Sequence, residues 1–276
     1  MKFLPIALRL LLSYVVVAML PVTVLATLYL TSFENLLRET VLASMTMIGE
    51  KKSDQIDQYL VERMNDAQLL SNSNTLRNSM SRPDKAVADK LRDADWIRQL
   101  QDNYNDMLLI DVDGNVVFSL RQHDVVGSRL LNGPLSQTSL AKGFRLAMLT
   151  GDTQLSHFLP YPPDANRPSA FVVAPLRDNG LVIGALALQR DMKVVLQVAT
   201  DPVGLGQSGE TVLAQRQGDE VLFITPLKQR GGEALAQRIA FNDVSPGMGE
   251  ALAGNHARGI MKDYAGIDVV ASWHYL

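Results

Sequence analysis

The apolar residues of this chain are concentrated near its N-terminus. Residues 10–30 (LLLSYVVVAMLPVTVLATLYL) carry no charged side chain, and about 20 apolar residues are enough to cross a bilayer as a helix. The run is longer than the apolar part of a signal peptide, and polar, helix-like sequence follows it directly. We therefore predict an uncleaved transmembrane helix over residues 10–31. Lys2 and Arg9 precede the run, so residues 1–9 should be cytoplasmic and the rest of the chain should lie outside the cytoplasm.

A second apolar pattern, with helical spacing, covers residues 32–80. Apolar side chains recur there mostly at intervals of three or four residues, with no proline and with Gly49 as the one glycine. This spacing predicts a long amphipathic helix, which would extend roughly 70 Å at 1.5 Å per residue. A helix with so much polar surface needs a partner along its apolar stripe. That partner could be a second copy of the chain, a domain packed alongside, or both.

The pattern changes after the long helix. Arg82-Pro83 should end it, and Asp84 should cap a second helix over residues 85–103. From residue 107, short apolar and β-branched runs alternate with turn signals, which predicts strands. The first two runs flank Asp113-Gly114, a dipeptide typical of a hairpin turn. Further strands are predicted at 154–161, 169–176, 181–189, 210–215, 220–225, 259–264 and 268–276, and short helices at 139–149, 191–199 and 248–253.

The order of these elements predicts an α+β fold. Helix, hairpin, insertion and paired strands follow one another twice, so we expect two antiparallel-sheet modules. The first module should cover residues 81–190 and the second residues 191–276. Four prolines fall within residues 160–168 (PYPPDANRP), which predicts an irregular loop inside the first module.

Composition and motifs exclude several function classes. The net charge of −3 argues against a nucleic-acid partner, and the absence of cysteine excludes disulfides and thiolate chemistry. Asp111, Asp113 and Asn115 alternate like the ligands of a calcium loop. However, Gly114 occupies the fourth position of such a loop instead of the sixth, and Gln122 stands at the twelfth, where glutamate is required. We therefore interpret this stretch as the turn of a hairpin.

Two further sequence features, a glycine-rich motif and the histidines, do not indicate a nucleotide site or a metal site. Residues 204–209 (GLGQSG) match G-x-G-x-x-G, but a predicted helix precedes them and a strand follows, which is the reverse of a dinucleotide site. A flexible connection into the second module fits better. The four histidines show no metal-ligand spacing, and there is no nucleophile elbow; the histidines are His123, His157, His256 and His274. We expect no metal site, no cofactor and no catalytic activity in this chain.

Four stretches together resemble the double Cache sensory domains of bacterial transmembrane receptors. They are residues 51–70 (KKSDQIDQYLVERMNDAQLL), 107–119 (MLLIDVDGNVVFS), 169–192 (SAFVVAPLRDNGLVIGALALQRDM) and 204–224 (GLGQSGETVLAQRQGDEVLFI). The resemblance implies two stacked PAS-like modules beside a stalk helix over residues 32–80. It implies a small-molecule ligand in the membrane-distal module (81–190), a membrane-proximal module (191–276), and a periplasmic location outside the inner membrane. We also expect a homodimer formed through the long helix.

The resemblance also implies parts that would follow residue 276. A final strand, a second membrane span and a cytoplasmic output domain are expected there, so we interpret the second module as incomplete. A sensor histidine kinase of a two-component system is our first expectation for the output. A chemotaxis transducer or a cyclic-di-GMP enzyme is the alternative, as is a module that senses through a periplasmic binding protein.

The candidate ligand site follows from the first module. A small-molecule pocket needs apolar and aromatic walls with a few convergent polar groups, and the segment between the hairpin and residues 169–176 is the expected lid. The candidate ligand-binding residues are Phe118, Phe144, Arg145, His157, Phe158, Tyr161, Asp164 and Phe171. Ordinary core packing is the alternative for the aromatic residues, and a solvated surface charge is the alternative for Arg145 and Asp164.

The family resemblance does not decide the ligand. Its amino-acid-binding members carry an arginine, an adjacent tryptophan-tyrosine pair, and a later tyrosine and aspartate. Here no tryptophan follows Arg145, and Tyr161 and Asp164 stand at a different spacing. An amino acid, a small carboxylate, another metabolite, or no direct ligand remain open.

Overall fold

The computed structural model describes residues 6–81, 89, 91–121 and 124–276 of the chain. Its first element, α1 (Ile6–Ser71), is a continuous helix of 66 residues, about 100 Å long at 1.5 Å per residue. Among the described residues it is the one helix long and apolar enough to cross a membrane, as the sequence predicts. The hydroxyls of Thr23 and Thr27 donate to carbonyl oxygens four residues earlier in the helix, so they are satisfied without water.

The long helix is interrupted earlier than the sequence predicts. α1 ends at Ser71, and α2 (Asn74–Ser81) begins after a short turn. The Ser73 Oγ accepts a hydrogen bond from the backbone N–H of Thr75 at 3.2 Å. Serine and asparagine side chains compete for backbone hydrogen bonds in this way and favour helix ends, so the single helix predicted over residues 32–80 is wrong at this point.

The second predicted helix is only partly within the described residues. α3 (Asp95–Asn103) forms its C-terminal part. The predicted break at Arg82-Pro83 and the predicted cap at Asp84 lie outside the residues that the structure describes.

The first module is built on one antiparallel sheet. Its strands lie in the order β2-β1-β6-β5-β3, and β4 pairs with β5. The helix α4 (Ser139–Thr150) follows β2 in the chain and begins after Thr138, whose side chain accepts a hydrogen bond from the N–H of Ala141. The strands are β1 (Asp106–Asp111), β2 (Val116–Ser119), β3 (Gln154–Leu155), β4 (Leu159–Tyr161), β5 (Arg167–Asp178) and β6 (Leu181–Asp191).

The two faces of this sheet pack against different helices. Successive side chains of a strand point to opposite faces, and in β1 Leu108 and Leu109 belong to different core clusters. Leu108 packs in the cluster that contains Phe144 of α4. Leu109 packs in the cluster that contains Ala67 of α1 and Ile97 of α3. We call these the α4 face and the long-helix face of the sheet.

The turn between β1 and β2 uses the aspartate that resembled a calcium ligand. The Asp111 Oδ1 accepts hydrogen bonds from the backbone N–H groups of Asp113 (3.0 Å) and Asn115 (2.8 Å). The backbone of Gly114 has a φ of +79°, a conformation that glycine adopts without steric cost. This confirms the predicted hairpin turn. The same arrangement recurs in the second module, where the Asp263 Oδ1 accepts from the N–H groups two and four residues on.

The chain between α4 and β5 differs from the prediction. One strand was expected over residues 154–161, but β3 and β4 are separate. The backbone N–H of Ser156 still donates to the carbonyl oxygen of Phe171 in β5 at 2.8 Å, but the return hydrogen bond goes to the Ser156 side chain and not to its carbonyl oxygen. The Ser156 Oγ accepts a hydrogen bond from the N–H of Phe171 at 2.8 Å. The four-proline stretch is also more regular than predicted: a 3₁₀ turn (Pro162–Asp164) and two left-handed residues join β4 directly to β5.

The second module follows the connecting helix α5 (Lys193–Thr200). Its described strands form a three-stranded sheet, β7-β8-β9, and a separate two-stranded sheet, β10-β11. The hydroxyl of Tyr264, in the turn between β10 and β11, donates to the carboxylate of Glu210, which precedes β7. Burial and this contact raise the pKa of Tyr264 to about 12. The elements are β7 (Ala214–Gln217), β8 (Glu220–Phe223), β9 (Arg238–Ala240), α6 (Pro246–Leu252), β10 (Ala257–Lys262) and β11 (Asp268–Trp273).

Candidate ligand site

A cavity of about 560 Å³ opens at the end of the first module. This volume is in the range of small-molecule sites. One wall is the segment after β2 and the other is the 3₁₀ turn between β4 and β5, so the cavity lies within the predicted lid region. Its lining residues are Asp124, Val125, Ser128, Pro134, Leu135, Pro162 and Pro163.

Tyr161 and Asp164 flank the two prolines of that wall and are both buried. The ring of Tyr161 meets Phe171 edge to face, with 4.8 Å between ring centroids. Its hydroxyl has no hydrogen-bond partner, although buried polar groups normally have one. Tyr161 directly precedes Pro162 of the cavity wall, so its unpartnered hydroxyl is a candidate contact for a bound molecule.

Gln189, near the end of β6, carries the second buried polar atom that has no hydrogen-bond partner. Its Nε2 donates to the Asp164 Oδ2 at 2.8 Å and to the Ser169 Oγ at 3.0 Å, which uses both amide protons. Its Oε1 is buried without a partner. Gln189 and Ser169 stand two residues from Ala187 and Phe171, which pack on the α4 face, so strand alternation places all of them on that face.

Two buried carboxylates set the charge around these groups. Asp106, at the start of β1, accepts hydrogen bonds from the N–H groups of Met107 (2.7 Å) and Arg121 (3.1 Å) and from the Ser119 hydroxyl (2.7 Å). Asp164 is paired with the Arg167 guanidinium, whose Nε lies 3.0 Å from its Oδ1. Burial is the main cause that raises the pKa of Tyr161 well above its ordinary range, and the negative charges of both carboxylates add to this effect. The phenol therefore stays neutral and keeps a proton to donate.

We call the buried set on the α4 face the polar cluster: Asp106, Tyr161, Asp164, Ser169 and Gln189. The sequence analysis included Tyr161 and Asp164 but missed the other three. In the sequence, each of these three is a polar residue at one end of an apolar strand run, an even number of positions from the apolar residues of one face. That signal carries weight only once the buried face of each strand is known.

The structure brings three of the predicted aromatic residues together. Phe144, Tyr161 and Phe171 belong to one buried cluster on the α4 face. Arg145, on the next position of α4, is half-buried and donates to the carbonyl oxygen of Ser136 at 2.5 Å. This contact holds the guanidinium beside the part of the cavity wall that Pro134 and Leu135 form.

Three other predicted residues do not join this group. Phe118 packs on the long-helix face, where the Arg92 guanidinium lies 5.1 Å from its ring centroid; it pairs with Leu109, and strand alternation turns both away from α4. Phe158 packs with Ile56 at the junction with the second module. His157 is exposed on the connection between β3 and β4. These three residues lie apart from the aromatic and polar groups described above, which we take as the candidate site.

The other motifs acquire structural roles. Gly204 lies against the long helix, since an added Cβ would stand 2.6 Å from the Ile48 Cδ1, so the GLGQSG segment is packed on α1 at this point. His256 and His274 lie with ring centroids 5.5 Å apart, and His123 lies outside the described residues. Within residues 6–81, 89, 91–121 and 124–276, no three His, Asp or Glu side chains are grouped so that they could hold a metal ion.

The chain belongs to the Cache domain family, of the double Cache type, whose family model matches residues 33–276. A search of curated proteins finds no match. Solved structures share the fold. The ligand-binding domain of the Pseudomonas fluorescens chemoreceptor CtaA in complex with L-serine is 12% identical, with 82% of this chain and 87% of that chain covered and a TM-score of 0.55. The domain of the Pseudomonas aeruginosa PAO1 chemoreceptor PctB in complex with L-Arg is 15% identical, with 75% and 78% covered and a TM-score of 0.51.

A kinase sensor domain is also among the similar structures. The sensor domain of the V. cholerae histidine kinase DctB is 14% identical, with 69% of this chain and 88% of that chain covered and a TM-score of 0.48. The family match over residues 33–276 makes the chain a sensory domain of the double Cache type, an α+β fold preceded by a candidate membrane helix.

Proposed function

We propose that this chain senses a small molecule directly, in the cavity of its first module. The observation that supports this most strongly is the pair of buried, unpartnered polar atoms near Asp164, the Tyr161 hydroxyl oxygen and the Gln189 Oε1. A buried polar group without a partner costs about 1–3 kcal/mol, and a ligand that bonds both atoms would recover that cost. Tyr161 and Asp164 of the polar cluster flank Pro162 and Pro163, which line the cavity, and this adjacency in the chain supports the cavity as the route to the cluster.

The ligand class remains a proposal based on charge and on the related domains. An amino acid is one candidate, because the related domains of CtaA and PctB were solved with L-serine and L-Arg. Arg145 could then contact a carboxylate at the cavity wall, and the polar cluster could accept the amine. A small carboxylate or another metabolite is the alternative, because the Arg145 guanidinium is bound next to Leu135 of this wall and could pair with a carboxylate alone.

For the whole receptor we propose the topology that the sequence predicts. Residues 10–31 cross the inner membrane, residues 1–9 are cytoplasmic and the sensory domain is periplasmic. The first module (81–190) is then membrane-distal and the second (191–276) membrane-proximal. The chain forms a homodimer through α1, the long helix of the predicted stalk segment (32–80). The output is a sensor histidine kinase, with a chemotaxis transducer or a cyclic-di-GMP enzyme as the alternative.

Signalling in this proposal is a population shift. A ligand can favour one conformation of the receptor only if it binds that conformation more tightly than the other. The polar cluster meets this requirement if the lid loops approach Tyr161 and Gln189 only in the bound state.

The test is ligand-dependent thermal unfolding of the full chain in lipid nanodiscs. The panel contains amino acids, organic acids, amines and purines, each at millimolar concentration. A true ligand at 100 times its Kd stabilises the protein by about 2.7 kcal/mol. Tyr161→Phe should weaken that stabilisation, whereas Tyr104→Phe, on the other face of the sheet, should not. If no compound raises the Tm and a periplasmic binding protein is captured instead, direct sensing is wrong.

A further inference from the structure

A buried lysine of the long helix holds the connection between the two modules. Lys52 is 6% exposed, and all three of its ammonium protons have acceptors. They are the carbonyl oxygens of Ala199 (3.0 Å) and Asp201 (2.7 Å) and the Thr211 Oγ1 (3.0 Å). The Lys52 side chain thus connects the long helix to three places: to α5 through Ala199, to the segment after α5 through Asp201, and to the segment before β7 through Thr211.

The chemistry of a helix end explains why a cation is suited to this position. The last carbonyl groups of a helix have no partner within the helix, and the helix dipole favours positive charge there. Ala199 and Asp201 lie at the C-terminal end of α5. Burial lowers the pKa of Lys52, and Asp201 opposes that effect. A buried charge whose partners are removed is costly, so these contacts depend on one another.

The other end of α5 is tied to the same helix. Arg190, just before α5, donates from its Nε to the hydroxyl of Tyr59 at 2.7 Å. Its guanidinium also lies 5.6 Å from the ring centroid of Tyr59. Lys52 and Tyr59 are separated by two helical turns, about 10 Å along the axis. This matches the length of α5, about 12 Å for its 8 residues. α5 therefore runs antiparallel to α1 and is fastened to it at both ends.

The fastened segment begins directly at the candidate ligand site. Gln189 faces the polar cluster, while its neighbour Arg190 reaches the long helix from the opposite face of β6. Between the two fastenings, Ile56 of α1 packs with Met192 and Val195. A displacement of the end of β6 thus has a continuous packed route to α1 and to the second module.

We propose that Lys52 is a positioning residue that couples the two modules to the long helix, so that they respond as one body to events at the ligand site. The signalling meaning of this coupling rests on the proposed sensing function. The coupling itself needs no ligand and is tested without one, so its failure would leave the sensing proposal standing.

The experiment uses the two tryptophans of the chain as separate reporters. Trp96 packs in the first module and Trp273 in the second, so Trp273→Phe leaves a reporter of the first module and Trp96→Phe a reporter of the second. The full chain in nanodiscs is melted in both backgrounds with and without Lys52→Met, which keeps the apolar volume and removes the charge. Without Lys52→Met the two fluorescence transitions should coincide. With it, the Trp273 transition should fall about 10 °C or more below the Trp96 transition.

Two matched variants make the outcome decisive. Lys51→Met removes an exposed lysine at the neighbouring position and should leave the transitions together. Thr211→Val removes one acceptor with little change of shape and should separate the transitions in the same direction by a smaller amount, even if Lys52→Met does not fold. The proposal is overturned if the two transitions still coincide in Thr211→Val and in any folded Lys52→Met protein.

Discussion

Removing the Tyr161 hydroxyl should stabilise the ligand-free protein, although most substitutions of buried residues destabilise. Tyr161 is 1% exposed, and its hydroxyl has no partner. Leaving such a group unsatisfied costs about 1–3 kcal/mol. Tyr161→Phe keeps the ring and its edge-to-face contact with Phe171, so the free energy of unfolding should rise by about 1 kcal/mol or more.

A second tyrosine provides the matched control. Tyr104 is equally buried, but its hydroxyl donates to the Asp66 Oδ2 at 2.7 Å. Burial and this hydrogen bond raise the pKa of Tyr104 far above its ordinary value, so it too is neutral. A hydrogen bond to a charged group contributes about 1.5–3 kcal/mol. Tyr104→Phe should therefore destabilise the protein by about 1.5 kcal/mol, since water can reach the half-exposed Asp66.

The two substitutions differ in sign, and the assay measures that sign. Urea unfolding of the full chain in detergent, in the Trp273→Phe background and followed by Trp96 fluorescence, gives both free energies on one scale. If Tyr161→Phe destabilises as Tyr104→Phe does, the Tyr161 hydroxyl has a partner such as an ordered water. The argument that this hydroxyl awaits a ligand would then fail.

Three further predictions concern other parts of the chain. Gly247→Ala would place a Cβ 2.0 Å from the Trp273 ring and should destabilise the second module by about 2 kcal/mol. Gly249→Ala, whose nearest contact is 3.6 Å away, should stabilise the module slightly. Equal melting temperatures of the two variants would contradict this. Asp111→Ala should cost about 1–2 kcal/mol through the lost turn hydrogen bonds, and added Ca²⁺ should not change the Tm of the unsubstituted chain; a calcium-dependent Tm would restore the metal interpretation. Burial and His256 lower the pKa of His274 below its ordinary 6.5, against the opposing charges of Glu50 and Asp54. The folded state then prefers neutral His274, so its contribution to stability is lost as the pH falls below about 6.5, and His274→Gln should flatten the dependence of Tm on pH between 7.5 and 5.5.

The elements of the fold could be predicted where local chemistry decides them. The long charge-free run, the helical spacing after it and the Asp113-Gly114 turn depend on residues a few positions apart. The turn between β5 and β6, at Asn179 and Gly180, also follows local chemistry, because both residues have positive φ and Asn-Gly is the dipeptide that favours such a turn. Errors occurred where one side chain changed the local outcome, as Ser73 did at the end of α1 and Ser156 did between β3 and β4.

The candidate site was predicted less completely, because it depends on faces. Phe118 and Gln189 both lie near the end of an apolar run. Strand alternation alone does not say which of them faces α4 and which faces the long helix. Pairing of β1 with β2 turns Phe118 toward the long helix, while pairing of β6 with β5 turns Gln189 toward α4. Asp106 and Gln189 become neighbours only through the pairing of β1 with β6, strands more than 70 residues apart.

The sequence by itself determined the candidate membrane helix, the two-module α+β order and the turn that Asp111 caps, because these follow from composition and short-range hydrogen bonding. Only the tertiary structure decided which side chains form the polar cluster and that Lys52 binds the end of α5. Those contacts join residues up to 159 positions apart, and the face that each strand buries is set by what packs on it. The residues next to a given residue in the chain therefore do not determine which face of its strand is buried.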